Sequence, residues 1–281
     1  EDNPELKEEW TKSEALYYPD NLKETISALE IKTPIATRSA SGITLAAIAD
    51  QIPNLIGGAA DLSPSTKTYL DQYGEVQADA YSGRNIRFGV REHGMGSITN
   101  GLALYGGLRP FCATFLSFAD YMRPSIRMAA LMKLPVIYVF THDSVYIGED
   151  GPTHQPVEQI ESLRIIPGLK VFRPADEEET KAAWYKAIKN TDSPTALILS
   201  RQDLPHLDKE QDFWYGLQNG AYTIFSTYSD EYDYTFLASG SEVSLALETA
   251  RRLTDKGSSV KVISVPNRGE LKAKNSPYLK N

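Results

Sequence analysis

Glu92 lies in the string RFGVREH at residues 87–93, between a short apolar run at 86–90 and a stretch at 94–104 with the Gly, Ala and Leu spacing of a tightly packed helix. The apolar run reads as a buried strand, so Glu92 falls at a strand-to-helix corner. A carboxylate there faces the positive end of a helix dipole, and in an open α/β sheet such corners line the ligand crevice. Taken alone, an acidic residue in a first helical turn equally well serves as a cap.

Three further groups of residues keep it company. The strings THDS at 141–144 and GEDGPTHQP at 148–156 contain His142 and His154, two of the four histidines, with Asp143, Glu149 and Asp150 between them on glycine-containing backbone. Histidine and carboxylate beside a glycine turn suit zinc, but the spacing matches no usual helical or knuckle pattern, so no protein-held metal is expected. Donors to hydroxyl groups or proton shuttles near neutral pH fit the same residues, as does a plain polar loop. Arg38 in TRS, Arg201 in SRQ and Ser65 in DLSPS form a second group, in which guanidinium forks and a hydroxyl suit phosphate, although any one arginine is ordinarily a surface charge. The third is Phe115, Phe118 and Tyr121, aromatics three apart at the start of a helix, a spacing that serves core packing or a cofactor shelf.

The elements that must position these groups alternate. Residues 39–51 carry a helical spacing ended by Pro53, and six short apolar runs at 55–59, 86–90, 110–114, 136–141, 169–173 and 196–200 read as strands, several followed by helical stretches such as 176–189. Parallel strands joined by helices place their carboxyl ends on one side of the sheet. Just past these ends stand Asp61 with Ser65, Glu92, Phe115 with Phe118 and Tyr121, His142, and Arg201. One shared site at that edge is expected. The periodicity lapses at about 202–212, and beyond it a strand at 234–238, a helix at 241–253 and a strand at 259–265 give one βαβ unit and no more, with a loosely held end at 267–281. The fold expected is α/β: a parallel sheet of about six strands with helices on both faces, followed by a truncated second α/β domain.

The chain has 281 residues, 41% hydrophobic and 23% charged, a globular composition. A net charge of -8 argues against general nucleic-acid binding, and no apolar run reaches membrane-spanning length. Cys112 is the only cysteine, so no intramolecular disulfide is possible, and a reducing cytoplasm is expected with no signal peptide. Because the first residue is Glu, the chain reads as a piece of something longer.

Together the strings TR at 37–38, ADLSPS at 60–65, RFGVREH at 87–93, TFLSF at 114–118, THDS at 141–144, GEDGPTHQP at 148–156, RPAD at 173–176 and LSRQ at 199–202 closely resemble the transketolase family, thiamine-diphosphate enzymes of the pentose phosphate pathway. The resemblance implies a linker or strap at 1–33, a pyrimidine-binding domain at 34–207 and the start of a C-terminal domain at 208–281. It implies transfer of a two-carbon ketol unit from a ketose phosphate to an aldose phosphate. Glu92 would hydrogen-bond N1′ of the cofactor's aminopyrimidine, with Phe115, Phe118 and Tyr121 forming the pyrimidine pocket. His142, Asp150 and His154 would contact substrate hydroxyls, His154 also as proton shuttle, and Arg38, Ser65 and Arg201 would hold the sugar phosphate. The family's diphosphate and Mg²⁺ ligands lie in an N-terminal domain that nothing here supplies. The resemblance therefore implies half a cofactor site, a homodimer, and an isolated chain inactive without that domain. Two alternatives remain: a β-like subunit of a split thiamine enzyme or 2-oxoacid dehydrogenase, and a non-catalytic dimerisation module.

Overall fold

A computed structural model describes residues 3–209, 213–228 and 231–273. In chain order, α1 (Pro4–Glu14) and α2 (Leu22–Ser27) lead to β1 (Ile35–Ala36), α3 (Thr37–Gln51), β2 (Leu55–Ala59) and α4 (Ser63–Thr66). Then come α5 (Glu92–Tyr105), β3 (Arg109–Phe115), α6 (Ala119–Leu131), β4 (Ile137–Thr141), α7 (Gln159–Arg164), β5 (Lys170–Phe172), α8 (Glu177–Lys189), β6 (Thr195–Leu199) and β7 (Asp203–Leu204). A second unit holds α9 (Phe213–Gln218), β8 (Tyr222–Ser226), β9 (Tyr234–Ala238), α10 (Glu242–Thr254), β10 (Val260–Ser264) and α11 (Arg268–Ala273).

The central sheet has five parallel strands in the order β2-β3-β4-β6-β5. Every residue of β3, β4 and β6 is buried, which is why these strands read as unbroken apolar runs: both faces are covered. Alternate side chains enter two cores. Phe111, Ile137, Val139 and Leu197 pack against α3 and α8, whereas Cys112, Tyr138, Phe140 and Ile198 pack against α6 and the first turns of α5. In the first core the fully buried Trp184 of α8 donates its indole N–H to Ser41 Oγ of α3 at 2.7 Å, so its one polar atom costs nothing to bury. Leu22 and Ile26 of α2 join the same core.

The expected sixth strand is not one. Residues 86–90 make a single parallel bridge through Asn85 to Gly57, with the Ile86 N–H donated to Gly57 O at 2.7 Å, and then leave the sheet. Phe88 is driven fully into the core, Ile86 packs against its edge, and Gly89 turns the chain at φ +71°. The apolar run reflects the anchor Phe88, its neighbour Ile86 and an exposed Val90, not a ladder.

The second unit also differs from a lone βαβ. β9 and β10 are parallel as expected, but β8 adds an antiparallel edge to give the order β8-β10-β9. Val243, Leu247 and Ala250 of α10 cover this sheet, and Ala175 and Leu207 of the first unit complete that core. Of the end expected to be loosely held, Asn267 is buried and α11 continues the fold, while 274–281 lie outside the described residues. No helix among the described residues is long and apolar enough to cross a membrane.

Candidate active site

His142 follows the last residue of β4 in the left-handed region, at φ +62°, and is 3% exposed. Its imidazole stacks on Phe115, which ends the neighbouring β3, with ring centroids 3.7 Å apart. Nδ1 lies 2.7 Å from Thr141 Oγ1 and Nε2 lies 3.5 Å from Arg38 Nη1. A guanidinium can only donate, so Nε2 is the acceptor and the ring proton sits on Nδ1, where Thr141 receives it. Burial first, then the cations of Arg38 and Arg201, lower the His142 pKa from 6.5 to about 3. A neutral imidazole with an acceptor nitrogen facing the cleft is therefore the state at neutral pH.

Arg38 comes from the first turn of α3 and Arg201 from the chain just after β6. Arg38 Nη1 donates to Ser65 O at 2.7 Å, tying α3 to the short α4 that carries Ser65. Burial and the neighbouring Arg201 charge depress the Arg38 pKa, and its Nε is buried without a hydrogen-bond partner. Arg201 is held by Glu149 at 3.1 Å, a half-exposed pair. Two guanidiniums at one sheet edge with an unsatisfied buried N–H make a place where an anion is favoured.

The aromatic side of the cleft is continuous with this. Phe115 and Phe118 stack at 5.8 Å, Phe118 meets Tyr121 at 6.2 Å, and the His154 ring stands edge-on to Phe118 at 5.1 Å and to Phe115 at 6.2 Å. His154 Nδ1 is 2.8 Å from Thr153 Oγ1, leaving Nε2 without a protein partner among the described residues. Tyr121 is 65% exposed, so it does not serve the core.

Contacts thus link Arg38, Ser65, His142, Phe115, Phe118, His154 and Tyr121, and the charge of Arg201 acts on Arg38 and His142. Glu92 and Asp150 make none with them. Glu92 is the first residue of α5, half-buried, and its carboxylate has no hydrogen-bond or ion-pair partner among the described residues. It does not cap its own helix through a side-chain bond, which removes the simplest structural role. Asp150 is exposed in the 148–156 loop. The loop's histidines and carboxylates do not gather as metal ligands; among the described residues such a cluster forms at Asp176, Glu177 and His206, where the Lys209 ammonium already pairs with Asp176.

The sequence offered Asp143 only as one carboxylate of the 142–154 polar stretch and gave Arg173 no role of its own. Arg173, directly after β5, donates Nε–H to Asp143 Oδ2 at 2.9 Å and reaches Ser239 O, Ser241 Oγ and Glu242 in the second unit. Both stand in strings that resemble the family, THDS and RPAD, but nothing in the sequence pairs them with each other.

The family model for the transketolase pyrimidine-binding domain matches residues 33–206. The chain belongs to the transketolase family. The model for the transketolase-like C-terminal domain matches residues 220–281. Transketolase of Halalkalibacterium halodurans is 50% identical over 261 residues, covering 92% of this chain and 39% of the relative. Among solved structures, transketolase from Leishmania mexicana superposes with a TM-score of 0.91 at 39% identity, covering 98% of this chain and 40% of that one. Transketolase from Pichia stipitis in complex with sedoheptulose-7-phosphate gives a TM-score of 0.90 at 39% identity, covering 99% of this chain and 42% of that one. The chain therefore spans about two fifths of the length of these transketolases. These matches favour the transketolase reading over a 2-oxoacid dehydrogenase subunit.

Proposed function

We propose that this chain forms the aminopyrimidine and sugar-phosphate side of a thiamine-diphosphate-dependent ketol transfer between phosphorylated sugars of the pentose phosphate pathway. The observation that carries this reading is the convergence of Arg38 and Arg201 on neutral His142, beside the ring series Phe115, Phe118 and Tyr121. Anion selectivity and a flat aromatic wall adjoin, as a cofactor and a phosphorylated sugar sharing one cleft require.

The residues present fit the cofactor's pyrimidine: a carboxylate without a protein partner at a helix start, and an aromatic shelf with one ring exposed. Bound thiamine diphosphate supplies the electron sink that lets a carbon–carbon bond next to a ketone break and re-form. Glu92 would hold the pyrimidine by hydrogen bonding, and Phe115, Phe118 and Tyr121 would form the aromatic side of its pocket. Arg38 and Arg201 take the phosphate by their forked N–H groups, with the Ser65 hydroxyl completing the cradle. Nε2 of His142 accepts from a sugar hydroxyl. His154 and Asp150 face the remaining hydroxyls, with His154 moving the proton. The diphosphate and Mg²⁺ are held by residues outside this chain.

A second copy completes the assembly. Val90, Ile98, Leu104 and Tyr105 on or beside α5, with Met128 and Leu131 of α6, are apolar and 43–82% exposed, which suits burial in a homodimer. Cys112 is buried and unpaired, compatible with a cytoplasmic setting.

The test mixes this chain with a separately produced N-terminal diphosphate-binding domain of a transketolase, thiamine diphosphate and Mg²⁺. Ketol transfer that returns and is abolished by Glu92→Ala supports the reading. Full activity of the Glu92→Ala mixture overturns it.

A further inference from the structure

The loop that carries His142 is tied to the second unit by one buried side chain. Asp143, next to His142, is 3% exposed, and its Oδ2 receives the Nε–H of Arg173 at 2.9 Å and lies in ion-pair range of Nη2, also at 2.9 Å. The remaining guanidinium hydrogens turn the other way: Nη1 donates to Ser239 O at 2.8 Å and to the Glu242 carboxylate, and Nη2 to Ser241 Oγ at 3.2 Å and Glu242 Oε1 at 3.1 Å. Residues 239–241 are the turn between β9 and α10, and Glu242 is the first residue of that helix. Within that turn Gly240 has φ +63°, and a Cβ there would lie 2.7 Å from Arg173 Nε, so the turn closes directly onto the guanidinium. The Arg173 N–H also donates to Pro266 O at 2.9 Å, fixing the arginine backbone to the segment after β10.

His142 needs such support. Its left-handed backbone is uncommon for a residue with a side chain, and conformations of that kind persist where the surroundings over-determine them. Thr141 and Phe115 hold the ring, but among the described residues the next link in the chain, Asp143, is held on its side-chain oxygen by Arg173 alone. A guanidinium fork can serve the carboxylate and the turn at once, which an ammonium cannot.

We infer that Arg173 is a positioning residue that couples docking of the second unit to the orientation of His142, and thereby to the affinity of the site for a phosphorylated ligand. The consequence for affinity rests on the sugar-phosphate reading above; the coupling of Arg173 to His142 does not. The test uses the full chain carrying Arg173→Lys and, separately, Glu242→Gln, with inorganic phosphate as the probe. Glu242→Gln leaves Arg173 and Asp143 in place and loosens only the second-unit side, so it decides the matter if Arg173→Lys fails to fold. Imidazole NMR of isotope-labelled histidine, assigned with His142→Gln, reports the ring itself. Both substitutions are expected to move the His142 resonance and to weaken phosphate binding about tenfold, within the usual range of coupling between sites. An unmoved His142 resonance in a folded variant overturns the inference, whatever happens to thermal stability. If the parent chain does not bind phosphate, the sugar-phosphate reading falls, and the resonance still decides whether Arg173 positions His142.

Discussion

The imidazole of His142 lies on the ring of Phe115 with centroids 3.7 Å apart and planes inclined by 30°, so the last side chain of β3 and the first one past the adjacent β4 close the apolar core and open the polar cleft at one point. The burial that holds the ring in place, with the nearby cations of Arg38 and Arg201, also keeps it uncharged.

The charge state of His142 gives the first prediction. Its folded pKa of about 3 lies below the ordinary 6.5, so between these values the unfolded chain binds a proton that the folded chain does not. Stability from this group is fully present above pH 6.5 and is lost progressively as pH falls toward 3. Denaturation midpoints measured across this window are expected to rise with pH, with a slope that flattens in His142→Gln. Imidazole NMR should show His142 neutral across this window, and an anion bound at Arg38 and Arg201 should raise its pKa.

The strands β2, β3, β4 and β6 were legible because parallel strands buried on both faces are continuous apolar runs between polar or glycine breaks. Residues 86–90 showed the same signal for another reason: Phe88 is an anchor for an extended segment, and only Gly89, turning at positive φ, hinted at the departure. β8 was passed over although Tyr222 and Ile224 alternate with polar positions, because one buried residue in five makes a weak edge-strand pattern. The gathering of Arg38, His142, Phe115, Phe118 and His154 at the carboxyl edge follows from topology, whereas Glu92 and Asp150, expected at the same place, make no contact with them. The Asp143–Arg173 pair was not, since partners 30 residues apart carry no periodic signal.

Arg201 and Glu149 separate binding from stability. Their ion pair joins groups 38% and 77% exposed, so breaking it is expected to change stability by less than about 1 kcal/mol. For phosphate the two substitutions diverge. Arg201→Gln removes charge-assisted hydrogen bonds worth about 1.5–3 kcal/mol and should weaken sugar-phosphate binding roughly ten- to a hundredfold. Glu149→Gln releases Arg201 and should tighten it. Titration calorimetry at two salt concentrations checks both signs, and equal loss in the two variants would contradict the assignment.

Glu92 is expected to be dispensable for folding. Its carboxylate is half-buried and unpaired among the described residues, so Glu92→Gln surrenders only its interaction with the α5 dipole, about 0.3–1 kcal/mol. Urea denaturation of the variant should therefore stay close to the parent curve while reconstituted ketol transfer disappears. A loss of several kcal/mol would mean that the carboxylate serves the fold.

Gly58 tests how the segment leading to Glu92 is held. A Cβ at this position would lie 2.0 Å from Ile86 O and 3.0 Å from Ile86 C, backbone atoms that cannot swing aside. The same segment is fastened to the sheet by the Ile86 N–H to Gly57 O hydrogen bond, with Asn85 buried and bonded to Leu70 N–H through Oδ1 at 2.9 Å. Gly58→Ala must push residues 85–86 off β2 or strain the strand, a cost of about 1–3 kcal/mol by analogy with overpacked cores. Displacement should carry on through Phe88 into the start of α5, so reconstituted activity is expected to fall even at temperatures where the variant remains folded. Thermal unfolding and activity measured on the same preparation distinguish the cases: lost stability with full activity would mean that β2 yields instead, and unchanged stability would mean that the contact at Gly58 is not tight.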